Sequence, residues 1–312
     1  MNIVETLYGR LPWDGILERN KTSPVVVVWV VLAVALVLFQ LVMAPLGIVV
    51  HLLATGVPLD AWLATLGSRA IEEQFPALIT GNTVGQWFGI GLIVLLSARL
   101  HSSHVLQVLG LGDRPTSQDF RRVLPYTLLW LSLLPVVEIT AWMNTHIPIP
   151  DSIRAVEDAQ LQMLSGLTSG AIPFGLLIFA TAVTPAWCEE VLFRGYLMQM
   201  FSRRYRAWIV ILASGILFGL YHVRATQLIP LSILGCFFAW VAWRERSLWM
   251  AMWLHFLNNL SALLAYQYWP ETFDPTQPST TPEATIWFLA LAGGVLATMV
   301  IHFLPANAHE SQ

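Results

Sequence analysis

Three short constellations in the sequence set ionisable or amide side chains at helical spacing within apolar surroundings. The first is Cys188-Glu189-Glu190-Val191-Leu192-Phe193-Arg194-Gly195. On a helix Glu190 and Arg194 are four apart and can pair, while Glu189 points about 100° away toward a different neighbour. One carboxylate is thereby held in a structural ion pair and the other is left free. The second runs Phe218-Gly219-Leu220-Tyr221-His222 and the third His255-Phe256-Leu257-Asn258-Asn259, the outer residues of each sharing one helix face. His255 and Asn259 present an imidazole and an amide side by side, two donors suited to a developing oxyanion. Glu189 and His222 are nearly equidistant in sequence from Arg203 to Arg206, so an antiparallel hairpin turning there sets them at one depth. A carboxylate beside an imidazole can activate water, the Glu accepting a proton and the His orienting or sharing it. The same Glu189, His222 and His255 can instead be read as three ligands of a hydrolytic zinc that keeps a water in its fourth position. No HExxH occurs, so such ligands must converge from three helices, and the residues alone leave both readings open.

The elements that must position these groups are membrane spans. With 56% hydrophobic and 11% charged residues among 312, and a net charge of −3, the chain cannot cover a soluble surface, and nothing suggests a polyanionic partner such as nucleic acid. Its mean hydropathy of +0.64 agrees. A span needs roughly 20 mostly apolar residues. Eight are expected: Pro24 to Leu53, kinked at Pro45, then Val84 to Ser97, Val123 to Met143, Ile172 to Met200, Ala207 to Val223, Leu228 to Trp243, Leu248 to Tyr266 and Thr285 to Leu304. The acidic, amphipathic stretch Asp60 to Ala77 is expected at the interface. The first span starts too late and runs too long for a cleavable signal. Cys188 and Cys236 form no metal or redox motif and are read as packing residues.

Cytoplasmic loops collect Lys and Arg. With both termini inside, that side holds Arg10, Arg19, Lys21, Arg99, Arg114, Arg121, Arg122, Arg194, Arg203, Arg204, Arg206, Arg244 and Arg246, against Arg69, Arg154 and Arg224 opposite. Many of the tryptophans, such as Trp208, Trp243, Trp249 and Trp269, fit interfacial belts. Glu138 is expected at an interface and Asn258 in packing. His51, His101, His104, His146, His302 and His309 show no spacing that makes a site.

Glu-Glu-x-x-x-Arg, Phe-x-x-x-His and His-x-x-x-Asn, in that order on successive apolar helices, resemble the CPBP family of intramembrane proteases. That family includes the CAAX prenyl endopeptidases and the bacterial Abi proteins linked to bacteriocin self-immunity. Each motif alone is weak; together, in membrane spans, they are specific. The resemblance covers about Ile172 to Tyr266, dividing the chain into 1–170 with unassigned spans, a core at 171–267, and 268–312 with a loop, the last span and a tail. It implies an all-α, polytopic bundle with an embedded cavity open to the cytoplasm. In it Glu189 would be the base, His222 its partner, His255 and Asn259 the oxyanion site, Glu190 and Arg194 the supporting pair, and Phe218 a neighbour packed near the site. The family has been described both as metalloproteases and as metal-independent glutamate proteases. The leading reading requires no metal, since a carboxylate with one imidazole can activate water unaided; zinc on Glu189, His222 and His255 is the alternative.

The expected partner is a membrane-associated peptide or protein, with or without a prenyl group, together with the lipid bilayer; the expected location is a bacterial plasma membrane. Two other classes compete with the endopeptidase. One is a catalytically silent immunity or scaffold protein of the same fold. The other is a transporter, which usually shows paired broken helices or a repeat, and neither is visible. The plainer readings of the motifs are an interfacial ion pair for Glu189 and Glu190, a span-end cap for His222, interhelical glue for His255 and Asn259, and simple packing for Phe218.

Overall fold

The computed structural model of the protein describes residues 3–65, 71–112, 117–155, 157, 172–269 and 282–304. Arg69, Arg114 and His309, and most of the 268–312 loop and tail, lie outside these residues. The chain opens on a feature the all-α expectation lacked, an antiparallel hairpin of β1 (Ile3–Thr6) and β2 (Gly9–Pro12). Gly9 closes its turn at φ 101°, a conformation that strains a residue with a Cβ. Leu7, Leu11 and Trp13 are buried in the main core, which ties this segment to the bundle.

The helices follow in order: α1 (Ile16–Arg19), α2 (Pro24–Thr55), α3 (Leu59–Thr65), α4 (Ile71–His101), α5 (Val105–Val108), α6 (Ser117–Thr145), α7 (Phe174–Ser202), α8 (Ala207–Tyr221), α9 (Leu228–Glu245), α10 (Trp249–Tyr268) and α11 (Ala284–Phe303). Among the described residues, six helices are long and apolar enough to cross a bilayer: α2, α4, α6, α7, α9 with the turn before it, and α11. The other two expected spans are α8, only 15 residues long, and α10, whose 20 residues include His255, Asn258, Asn259 and Ser261.

Two boundaries differ from expectation for local reasons. The second span begins well before Val84: a helix that starts at Ile71 carries Pro76 inside it and runs on without a break to His101. The end of the stretch expected at the interface, from Gln74, therefore belongs to a helix long and apolar enough to cross a bilayer. In α2, a π-helical segment at Leu38–Met43 directly precedes Pro45, which enters the first turn of the following α segment. The widened turn absorbs the donor that proline lacks.

Span ends alternate in direction. At one end Arg122, near the start of α6, meets Glu245 at the end of α9 at 2.6 Å, and Arg203, after α7, meets Glu18 at 2.7 Å. At the other end Asn144, late in α6, donates to Ala225 O at 2.8 Å and accepts from Ile229 N at 2.8 Å, joining the turn between α8 and α9. The α8–α9 contact is unusually close: a Cβ on Gly235 would lie 2.8 Å from Gly215 O, and one on Gly215 would lie 2.5 Å from Cys236 N. Small residues at a membrane helix interface allow such an approach.

Of these six spans α7 is the most enclosed, with 67% of its most apolar stretch buried in the protein, against 6% for α11. A helix so enclosed can hold charge away from lipid. Arg194, counted above among the topology charges, is fully buried and answers to a partner inside the bundle.

Candidate active site

Glu189 and Glu190 end an α-helical stretch of α7, and Val191–Leu197 continues as a π-helical segment that includes Arg194. Glu190 and Arg194 are both fully buried and paired at 2.7 Å, as their spacing predicts. The same Glu190 oxygen meets His255 Nδ1 at 2.8 Å. Arg194 Nη2 donates to Gly235 O at 2.8 Å, so the close α8–α9 contact places a carbonyl where the guanidinium needs one. The Arg194 guanidinium also lies 4.5 Å from the Phe218 ring centre and 5.6 Å from that of Phe238, a desolvated cation over aromatic faces.

Glu189 faces the other way, as expected. Its Oε2 lies 3.8 Å from His222 Nε2 and 3.9 Å from His255 Nε2, so the two histidines and the free carboxylate converge from three helices. His222 sits at the C-terminal end of α8 and hydrogen-bonds through Nδ1 to Phe218 O at 2.8 Å. A carbonyl only accepts, so Nδ1 carries the proton and a neutral His222 presents an unprotonated Nε2 to Glu189. His255 likewise donates from Nδ1 to the Glu190 carboxylate, leaving its Nε2 toward Glu189. Phe218 packs edge-on to both imidazoles, with centroids 4.6 Å from His222 and 5.6 Å from His255, and Phe238 stacks on His255 at 5.4 Å.

Asn259 lies one turn beyond His255 on α10, where its Oδ1 accepts from Asn258 Nδ2 at 3.5 Å. That bond leaves its Nδ2 hydrogens unengaged by described side chains. Asn258 is tied by a 3.3 Å bond from Trp130 Nε1, in keeping with its packing role.

Sequence reasoning missed three groups. Gln86 of α4 donates from Nε2 to Glu189 Oε1 at 2.9 Å. Tyr221 brings a buried hydroxyl that has no hydrogen-bond partner among the described residues. Glu157, 1% exposed, accepts from Ala225 N at 2.5 Å, Thr226 Oγ1 at 2.5 Å and Thr226 N at 3.2 Å, and so fixes the turn that follows His222. His101, unassigned above, is fully buried between Glu18 Oε1 at 2.7 Å and Tyr196 OH at 3.0 Å. None of these belongs to a spacing motif. The one available signal was polarity, since a Gln inside a span is costly and rarely idle.

A metal can be tested against the distances. Both Nε2 atoms are unprotonated in the neutral tautomers, which suits a ligand. However, two ligands of a tetrahedral zinc with bonds of 2.0–2.1 Å lie about 3.3 Å apart. The separations here are 3.8 and 3.9 Å, and among the described residues no group of three His, Cys, Asp or Glu side chains can hold a metal ion. The residues as arranged do not fit zinc. Cys188 and Cys236 are free.

Comparison with known proteins gives one match: residues 171–261 fit the Rce1-like family, described as type II CAAX prenyl endopeptidase Rce1-like. No curated protein and no solved structure matches the chain.

Proposed function

We propose, from the match of residues 171–261 to the Rce1-like CAAX prenyl endopeptidase family, an intramembrane endopeptidase in which Glu189 and His222 activate water. The observation that supports this most is that Glu189 Oε2 is buried, has no hydrogen-bond partner among the described residues, and faces the Nε2 atoms of both His222 and His255. A water donating one hydrogen to Oε2 and the other to the bare Nε2 of His222 is oriented for attack on a peptide carbonyl carbon. As its oxygen bonds to that carbon, one proton passes to Glu189. The carbonyl oxygen becomes an oxyanion, which His255 Nε2–H and Asn259 Nδ2–H stabilise.

His255 must be an imidazolium to donate from Nε2 while Nδ1 donates to Glu190. The charges allow it: Arg194 offsets Glu190, and Glu189 offsets the imidazolium. When the tetrahedral intermediate collapses, the C–N bond breaks and Glu189 returns its proton to the leaving amine. Glu190, Arg194 and Phe218 hold His255 and the π-helical turn in place. No step passes through a metal.

The proposed substrate is a membrane-associated peptide or protein, of which a prenylated C-terminal peptide is one form. The proposed setting is a bacterial plasma membrane, with eight spans and both termini cytoplasmic, supported by the charge bias and the alternation of span ends. The test is cleavage of quenched-fluorescent peptides, prenylated and plain, by the reconstituted protein as wild type, Glu189→Ala and His222→Ala, each with and without chelator. Activity lost in both variants supports the base and its partner. Loss on chelation alone overturns the metal-free route, and equal inertness of all three with retained partner binding favours a scaffold.

A further inference from the structure

Gln86 comes from α4, outside the matched domain, and resting on the proposed protease reading, we propose that it is the residue that positions the general base. It is 5% exposed and lies in the π-helical segment Gly85–Gly91. Its Nε2 donates to Glu189 Oε1 at 2.9 Å, while its own Oε1 is buried without a partner among the described residues. The amide is thus buried at a cost in a membrane span, and its one hydrogen bond goes to the carboxylate that the site leaves free.

That bond settles which oxygen does the chemistry. A glutamate side chain turns readily about its last torsion, and its two oxygens are equivalent until a neighbour distinguishes them. Gln86 occupies Oε1, so Oε2 is the oxygen left facing His222 and His255. The groups around this carboxylate, taken from every element packed on it, are Gln86 of α4, Cys188, Glu190 and Arg194 of α7, Tyr221 and His222 at the end of α8, and His255 of α10. Among these Gln86 is the single neutral donor that binds Glu189 at hydrogen-bond distance.

The α4 backbone is fixed for the task on both sides of Gln86. Trp87 Nε1 donates to Thr184 Oγ1 at 3.2 Å, and its ring stacks on Trp187 with centroids 6.4 Å apart. On the other side Gly85 lets the helix close on α2, where an added Cβ would run into Phe39 Cδ2. The span before the catalytic domain therefore acts as a rigid arm that delivers one amide.

The experiment compares wild type, Gln86→Met and Thr184→Val in lipid nanodiscs. Methionine keeps the length of the side chain and removes the donor; Thr184→Val breaks the neighbouring α4–α7 bond without touching Glu189. Two readouts are taken: peptide cleavage resolved into kcat and KM, and the Glu189 carboxylate bands isolated by infrared subtraction of a Glu189→Gln spectrum. In Gln86→Met the bands shift, and kcat falls roughly 10- to 100-fold with KM little changed, the scale of one hydrogen bond to a charged group. Thr184→Val, which loosens the arm but keeps the Gln86 donor, moves both by less. Unmoved bands in Gln86→Met, or a kcat equal to that of Thr184→Val, overturn the inference. Absence of cleavage by wild type strikes the protease reading alone, because the bands report the contact without turnover.

Discussion

Replacing Arg194 by Met tests the claim that charge inside this bundle is held by pairing. The change keeps most of the side-chain volume, so the packing against Phe218 and Phe238 survives, while the 2.7 Å bond to Glu190 and the 2.8 Å bond to Gly235 O are lost. Glu190 is fully buried and, among the described residues, keeps only His255 Nδ1 as a hydrogen-bond partner. Removing one member of a buried pair costs about 3–5 kcal/mol, since it strands the other charge in a low dielectric. The lower end is expected here, because segments unfolded within a membrane also find polar partners.

The prediction is therefore a loss of about 3 kcal/mol for Arg194→Met. The double variant Arg194→Met/Glu190→Gln, which leaves no stranded charge, should recover more than half of it. The assay is reversible unfolding in mixed micelles, followed by far-UV circular dichroism for wild type, both single variants and the double. A single-variant loss below about 1 kcal/mol, or a double variant no more stable than Arg194→Met, would refute the reasoning.

Three further outcomes follow from particular contacts. Glu18 lies outside the spans; burial pushes its carboxyl up, but hydrogen bonds from His101 and Arg203 hold it at about 2. A depressed carboxylate stabilises above its ordinary range and loses that contribution as pH falls from about 4.5 toward 2, so hydrogen exchange in residues 3–19 should rise over that window in wild type and not in Glu18→Gln. Gly235→Ala pushes a Cβ to within 2.8 Å of the Gly215 carbonyl, which no rotamer relieves, and should cost about 1–3 kcal/mol by the same unfolding assay. Glu157→Leu removes the acceptor of the Ala225 and Thr226 amides, whose exchange should quicken by roughly tenfold or more, while exchange at the hairpin of residues 3–12 stays unchanged.

Much of the molecule was legible in one dimension wherever the deciding physics is local. Apolar runs of span length announced the bundle, because lipid rewards them directly. The spacing of four announced the Glu190–Arg194 pair, because residues four apart on a helix are neighbours whatever else the chain does. The hairpin turning at Arg203 to Arg206 predicted the meeting of Glu189 and His222, because antiparallel helices of equal length match in depth. The Gly215-x-x-x-Gly219 pattern that lets α8 and α9 close was also present, though it was not used.

What the sequence could not determine is which distant side chains complete the site. Gln86 stands 103 residues before Glu189, and Glu157 reaches the turn after His222 from 68 residues away. Neither separation has a period to reveal it. The direction of Glu189 away from Glu190 follows from helical geometry alone, but what waits there depends on how α4 and α10 pack on α7. The sequence thus determined the bundle of apolar helices, the three motifs and the ion pair within one of them. Tertiary structure alone decided that one oxygen of Glu189 is held by Gln86 while the other faces two imidazoles, because a hydrogen bond between helices is set by packing and not by distance along the chain.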